Sequence, residues 1–178
     1  MNLYIVRHGQ TNINLENCTN SRNDDDLNST GVIQALKLRE YFKNIDYDFI
    51  ISSPLTRTIH TAELLNIKGK NIIFDDRLIE RDAGFFTKKP IEMLDRNDWW
   101  NVYPKNNYKD AESVQDVIKR IYLFLNEIKE IYKNKNIIIV THGGIAKAIG
   151  CYFYGIPDDG NIEGYVLNNC EIKKFELN

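Results

Sequence analysis

Two of the three histidines in this 178-residue chain share one local setting, an apolar run that ends in a polar residue, a histidine and a glycine. The first is "LYIVRHG", ending in Arg7, His8 and Gly9, and the second is "IIIVTHGG", ending in Thr141, His142, Gly143 and Gly144. Two further segments put charge behind short apolar runs: "SSPLTRT" with Arg57, and "DDRLIERDAG" with Glu80 and Arg81. Arginine offers a planar cationic fork that matches two oxygens of a phosphoryl group. Glycine lets the main chain approach a ligand closely. The N-terminus of a helix after Gly144 would aim N–H groups at an anion. A neutral imidazole can take a phosphoryl group and later pass it to water. The chemistry expected is phosphoryl transfer, with His8 as nucleophile, Arg7 and Arg57 on the phosphate oxygens, and His142 as a protonated donor to them. A leaving alkoxide needs a proton, for which Glu80 is the candidate and Asp82 a substitute that spacing alone does not exclude.

Five apolar runs would position these groups as strands: Leu3–Val6, Phe49–Ser52, Ile72–Phe74, Ile137–Val140 and Ile172–Leu177. The first four barely alternate, the mark of a sheet covered on both faces, whereas the last alternates like an edge strand. Helices are expected from Asn28-Ser29-Thr30 to about Phe42 and from Pro54 through Leu65. Another begins at Ser113, where Asp116 suggests a capping box, and carries Val114, Val117, Ile118, Ile121, Leu125, Ile128 and Tyr132 in one stripe. Alternating strands and helices imply a layered α/β fold with a mainly parallel sheet, whose ligands gather beyond the carboxyl ends of the strands.

At 178 residues a single domain is expected, with no repeat or linker, and the aromatic, irregular segment from Ala83 to Lys109 reads as a lid, a pocket wall or a satellite cluster. With 23 Lys+Arg against 25 Asp+Glu, no partnership with nucleic acid is expected. No basic start leads into a long apolar run and no stretch nears the roughly 18 apolar residues of a membrane span, so neither leader nor membrane partner is expected. Cys18, Cys151 and Cys170 match no zinc or redox spacing and suit reduced thiols in a cytoplasmic protein. His60 is assigned to packing or solvent, and Asn23 to Asp26 ("NDDD") to a solvated turn, so no metal or other cofactor is expected. Oligomeric state is not legible.

These residues resemble the histidine phosphatase superfamily, in the branch that also holds cofactor-dependent phosphoglycerate mutases. The resemblance rests on Arg7-His8-Gly9 followed by Thr11 and Asn14, on "DLNSTGVIQA", "SSPLTRTIHTAE", "LIERDAG", Glu112-Ser113, "VTHGG" and "NNCEI". It implies a three-layer α/β/α sandwich, a phosphorylated His8, a phosphate clasped by Arg7, Arg57 and His142, and Glu80 rather than Asp82 as acid and base. It also implies substrate contacts at Asn14, Thr11, Gly143 and Ser21. Mutases carry Thr-Gly where Asn20-Ser21 stands, and an arginine is common where Lys147 stands. The mutases are also longer. These departures favour a metal-independent phosphomonoesterase of the histidine acid phosphatase type acting on a small phosphorylated metabolite. A mutase or a non-catalytic phosphate-binding domain is the alternative. Lys88, Lys89 and the aromatic segment suggest an anionic or ring-bearing leaving group.

Overall fold

The computed structural model describes residues 1–108 and 110–177; Lys109, which ends the aromatic segment, and Asn178, which ends the closing run, lie outside the described residues. All five expected strands form: β1 (Asn2–Arg7), β2 (Phe49–Ser52), β3 (Ile72–Phe74), β4 (Asn136–Thr141) and β5 (Ile172–Glu176). They make one sheet in the order β3-β2-β4-β1-β5. β1, β4, β2 and β3 run parallel, and β5 closes the edge antiparallel to β1.

The near-absence of alternation has the cause expected of it, because successive residues feed two different cores. Leu3 and Ile5 of β1, with Ile137 and Ile139 of β4, pack beneath helices α5 (Val114–Ile131) and α6 (Gly143–Tyr154). Tyr4, Val6, Ile138 and Val140 point the other way, against Leu38 and Phe42 of α2 (Ser29–Lys43) and Ala62 and Leu65 of α3 (Thr56–Leu65). Both faces are therefore dry across β1, β4 and β2, the edge strands β3 and β5 are only partly covered, and the architecture is a helix–sheet–helix sandwich. The stripe of α5 is buried as its spacing predicts, with Phe124 added to it. At its start the Ser113 hydroxyl accepts from the Asp116 N–H at 3.0 Å, but Asp116 bonds the hydroxyl rather than the Ser113 backbone. Aspartate is one methylene shorter than the glutamate that completes such a box.

Two four-residue helices, α1 (Asn12–Leu15) and α4 (Arg96–Trp99), escape sequence periodicity because one turn is too short to show a repeat. The aromatic segment is a satellite cluster, in which Ala83, Leu94 and Trp99 pack with Phe86, Trp100 and Tyr108. The Arg81 guanidinium lies 3.9 Å from the Trp99 ring centre. Among the described residues no helix is long and apolar enough to cross a membrane.

The first turn of α2 rests directly on the backbone that follows His8. A methyl at Gly31 would meet the Gln10 carbonyl oxygen at 2.2 Å, and one at Gly9 would meet the Gly31 oxygen at 2.6 Å. Two backbones in contact have no side chain that can yield. Gly31→Ala is expected to destabilise the protein by about 1–3 kcal/mol, the cost of overpacking. A urea titration measures this, and an unchanged midpoint would show that α2 does not press on the His8 loop.

Candidate active site

Strand register brings the two histidines together. Arg7 pairs with Thr141 across the parallel β1–β4 ladder, and the His8 N–H donates to the Thr141 carbonyl at 2.9 Å. Both strands thus release a histidine at the same level, with ring centres 5.2 Å apart. Ser52 of β2 pairs with Val140, so Ser53 arrives beside His142. Beyond β3, the Leu78 carbonyl accepts from the Thr141 hydroxyl at 3.0 Å, which places Glu80 at the same sheet end.

His8 has a defined tautomer. Its Nδ1 lies 2.7 Å from the Gly9 carbonyl, which can only accept, so Nδ1 carries the proton and Nε2 keeps its lone pair. Burial pushes the His8 pKa well below its ordinary 6.5, and Arg57 and Arg7 push it the same way. The ring is a neutral base with one free nitrogen. His142 also departs from its expected charge state. Burial first, then Arg57, His8 and Arg7, hold its pKa well below 6.5, so in the free protein it is neutral rather than protonated. Its Nε2 is hydrogen-bonded at 2.8 Å to the Ser53 hydroxyl, a group that can donate or accept; with Ser53 donating, the proton sits on Nδ1. A neutral imidazole N–H is still a donor.

Arg57 is fully buried. Its guanidinium donates to the backbone carbonyls of Ser21, at 2.8 Å, and Asn23. Asn23 opens the "NDDD" turn, which does more than meet solvent. Asp24 caps α3 from outside, accepting from the Thr56 N–H at 2.7 Å and the Thr56 hydroxyl at 3.0 Å. Asp26 meets His60 at 2.9 Å one turn further along. The two clasps bracket Arg57. Among the described residues Arg7 Nε, Arg57 Nε and His142 Nδ1 are buried polar atoms with no hydrogen-bond partner. Buried donors are rarely left unmatched. A tetrahedral oxyanion, with several acceptor oxygens, suits all three.

A cavity of about 290 Å³ opens over this end of the sheet, lined by Arg7, His8, Asn14, Ser21, Glu80 and Gly143, whereas His142 and Arg57 lie behind the lining. Glu80 accepts from the Arg81 N–H at 2.9 Å and, with its other oxygen, from the Gly144 N–H at 3.2 Å. That helix N-terminal N–H therefore serves the acid rather than a bound anion. A methyl at Gly144 would stand 2.4 Å from the Trp100 ring and 2.5 Å from Glu80, so only glycine fits beneath both.

The expected substrate contacts divide. The Asn14 amide oxygen serves Thr11 N at 3.2 Å and Asn169 at 3.3 Å, leaving its NH₂ as the end a ligand can use. Thr11 does not line the cavity. It is fully buried, and its hydroxyl caps α1 and bonds Asn20, so the helix turn that spacing could not reveal has claimed it. Ser21 holds φ 55 where the mutases carry glycine, and supports Arg57 with its carbonyl and Ala83 with its hydroxyl. Lys88 and Lys89 do not line the cavity; Lys88 faces Asp25 instead. Sequence reasoning reached Arg96 and Trp100 only as part of a pocket-wall segment and Asn169 only within the closing motif, naming none of them as a site residue, and took Lys147 only as a departure. Asn169 donates to the His8 carbonyl at 2.9 Å and ties the loop before β5 to the nucleophile strand.

Asp24→Ala is expected to lower stability by about 1 kcal/mol through loss of the α3 cap. It should also lower turnover of a phosphomonoester several-fold by loosening the carbonyls around Arg57, as a urea titration and a steady-state assay would show. Because His8 and His142 are held neutral in the fold, the unfolded chain binds more protons below its ordinary pKa of 6.5. Stability should therefore be complete above pH 6.5 and fall as pH drops towards 5, with a proton uptake on unfolding above one. Denaturation midpoints across that window test this; a flat profile would mean both rings protonate in place.

Residues 3–178 match the family model for the histidine phosphatase superfamily, branch 1. A Bacillus subtilis protein named "Uncharacterized phosphatase PhoE" is 34% identical over 146 residues, covering 82% of this chain and 73% of that one. A Salmonella arizonae protein named "Probable phosphoglycerate mutase GpmB" is 31% identical over 186 residues, covering 99% and 85%. The crystal structure of the alpha-ribazole phosphatase from Shigella flexneri superimposes with a TM-score of 0.83 at 22% identity, covering 100% of this chain and 91% of that one. With its paired strand-end histidines and their arginines at one sheet edge, the chain belongs to the histidine phosphatase superfamily.

Proposed function

We propose that this protein is a phosphomonoesterase that hydrolyses a small phosphorylated metabolite through a phosphohistidine at His8. The observation that carries the reading is the neutral, buried His8, whose Nδ1 is committed to the Gly9 carbonyl and whose Nε2 is free. In the first step Nε2 bonds to phosphorus as the ester P–O bond breaks, and Glu80 gives its proton to the departing alkoxide. In the second, water attacks the phosphorus, Glu80 takes the water's proton, and the P–N bond breaks to release phosphate. Arg7, Arg57 and the His142 Nδ1–H hold the equatorial oxygens through both steps, using the donors that have no protein partner. No metal takes part, and three free thiols fit a reducing, cytoplasmic setting.

A mutase is the second reading, favoured by the 31% identical relative whose name carries that activity. A mutase keeps the phosphoryl group on the enzyme for return to a second alcohol, and so it must exclude water. An assay with bisphosphoglycerate separates the two.

The purified protein is expected to release phosphate from p-nitrophenyl phosphate in the presence of EDTA. His8→Ala should lower kcat by at least about 10³ and abolish an acid-labile phosphoryl adduct on the wild-type protein trapped in alkali. Undiminished turnover by His8→Ala would overturn the mechanism, and loss of activity in EDTA would point to a metal hydrolase.

A further inference from the structure

Two of the sequence motifs carry residues that the phosphoryl chemistry does not use. "SSPLTRTIHTAE" holds Thr61 one turn of α3 beyond Arg57, and "DLNSTGVIQA" holds Gln34 in the second turn of α2. Neither lines the cavity. Both reach the backbone on either side of Gly9, whose carbonyl is the partner of the His8 ring.

Gly9 depends on that support. A side chain there would run into the first turn of α2, so the position is restricted to glycine, the residue with the freest backbone. Yet the carbonyl that fixes the His8 tautomer belongs to this residue. Its freedom is removed from outside, one peptide plane at a time. In the plane between His8 and Gly9, the His8 carbonyl accepts from the Asn169 amide at 2.9 Å, and the Gly9 N–H donates to the Thr61 hydroxyl at 3.1 Å. In the plane between Gly9 and Gln10, the Gly9 carbonyl faces the His8 Nδ1 at 2.7 Å, and the Gln10 N–H donates to the Gln34 side-chain oxygen at 2.9 Å. The directions of these bonds are fixed, because a backbone N–H only donates and a backbone carbonyl only accepts. Thr61 therefore accepts from Gly9 and gives its one hydroxyl hydrogen to the Arg57 carbonyl, 2.6 Å away. It is fully buried, shut off from the bulk water that could replace it. Helix α3 thus carries a phosphate-site guanidinium and a support for the His8 loop one turn apart.

We propose that Thr61 and Gln34 are positioning residues for His8: by holding both peptide planes of Gly9 they aim its carbonyl at Nδ1 and keep the Nε2 lone pair free for phosphorus. The inference rests on the phosphatase reading above. Which imidazole nitrogen carries the proton is set by the hydrogen bond the other makes. Release of the Gly9 carbonyl would let the proton settle on Nε2, and that nitrogen could then no longer attack. A misaimed nucleophile slows the chemical step while the arginines still bind phosphate, so the loss belongs in kcat.

The test combines nitrogen NMR of the isotope-labelled whole chain, in mildly alkaline buffer, with p-nitrophenyl phosphate kinetics and inhibition by inorganic phosphate. The His8 signals are those absent from His8→Ala. The wild-type ring is expected as the Nδ1–H form. In Thr61→Val, which keeps the shape and loses the hydroxyl, and in Gln34→Met, a growing share of Nε2–H should appear. With it kcat should fall by about 10- to 100-fold, while KM and phosphate inhibition move by less than about threefold. Thr61→Ser and Gln34→Glu keep an acceptor in place and should restore both kcat and the Nδ1–H form. Leu38→Ala, in the core under α2, should lower stability and leave both unchanged in the folded protein. Gln34 is only partly buried, so its variants carry the test if Thr61→Val does not fold. An unchanged tautomer and kcat in Thr61→Val or Gln34→Met, or an effect confined to KM, would overturn the inference and leave the phosphatase reading standing. The same loss in Leu38→Ala would overturn it as well. If the wild-type protein forms no phosphohistidine at His8, the phosphatase reading fails and this inference fails with it.

Discussion

The parallel ladder between β1 and β4 is the constraint on which the site depends. Parallel strands end on the same side of a sheet, and the Arg7–Thr141 register sets the next residue of each strand, both histidines, at one height. A slip of one residue would turn His8 and its whole strand to the opposite face. The apolar alternation between two cores resists that slip, because Leu3 and Ile5 would have to exchange places with Tyr4 and Val6. Packing far from the site therefore holds His8 in place.

Confinement of two guanidiniums beside two imidazoles creates the second constraint, which is electrostatic. Buried like charges repel, and removing them from water is costly. The chain divides the burden. The arginines stay charged and are held by backbone carbonyls: Leu167 for Arg7, Ser21 and Asn23 for Arg57. The histidines give up their protons and become neutral, each with one nitrogen tied to a fixed partner. The result is a positive pocket around two imidazoles that are not themselves positive, the state that the proposed attack of His8 on a phosphorylated dianion requires. Loop segments that look like ordinary surface share this work. The acidic turn at Asp24 to Asp26 is pinned to α3 by Thr56 and His60, and so presents the carbonyls that Arg57 needs.

The aromatic segment packs on itself and also lines the cavity. Its rings form a small cluster of their own rather than extending the main core. One side of that cluster becomes a cavity wall, where the Arg81 guanidinium and the Lys147 ammonium each lie 5.1 Å from the Trp100 ring centre. The sheet end thus supplies the histidine and arginine side of the cavity, and the satellite cluster supplies another part of its wall.

Much of this was legible in one dimension. Apolar runs of three or four residues located the four parallel strands, an alternating run located the edge strand β5, and caps and apolar stripes located the long helices. Arg7, His8, Arg57, Glu80 and His142 could be named from their places at strand ends and from the motifs they share with a known family. The sequence also determined which residue types were present to do the chemistry. Only the tertiary structure decided their states and companions. The tautomer of His8, the neutral His142, the capping role of Thr11 and the hold of Thr61 and Gln34 on the peptides of Gly9 all arise between residues remote in sequence or in turns too short to show a period. Periodicity records which way a side chain faces, but a proton's position and a charge's partner depend on what the rest of the chain brings against it.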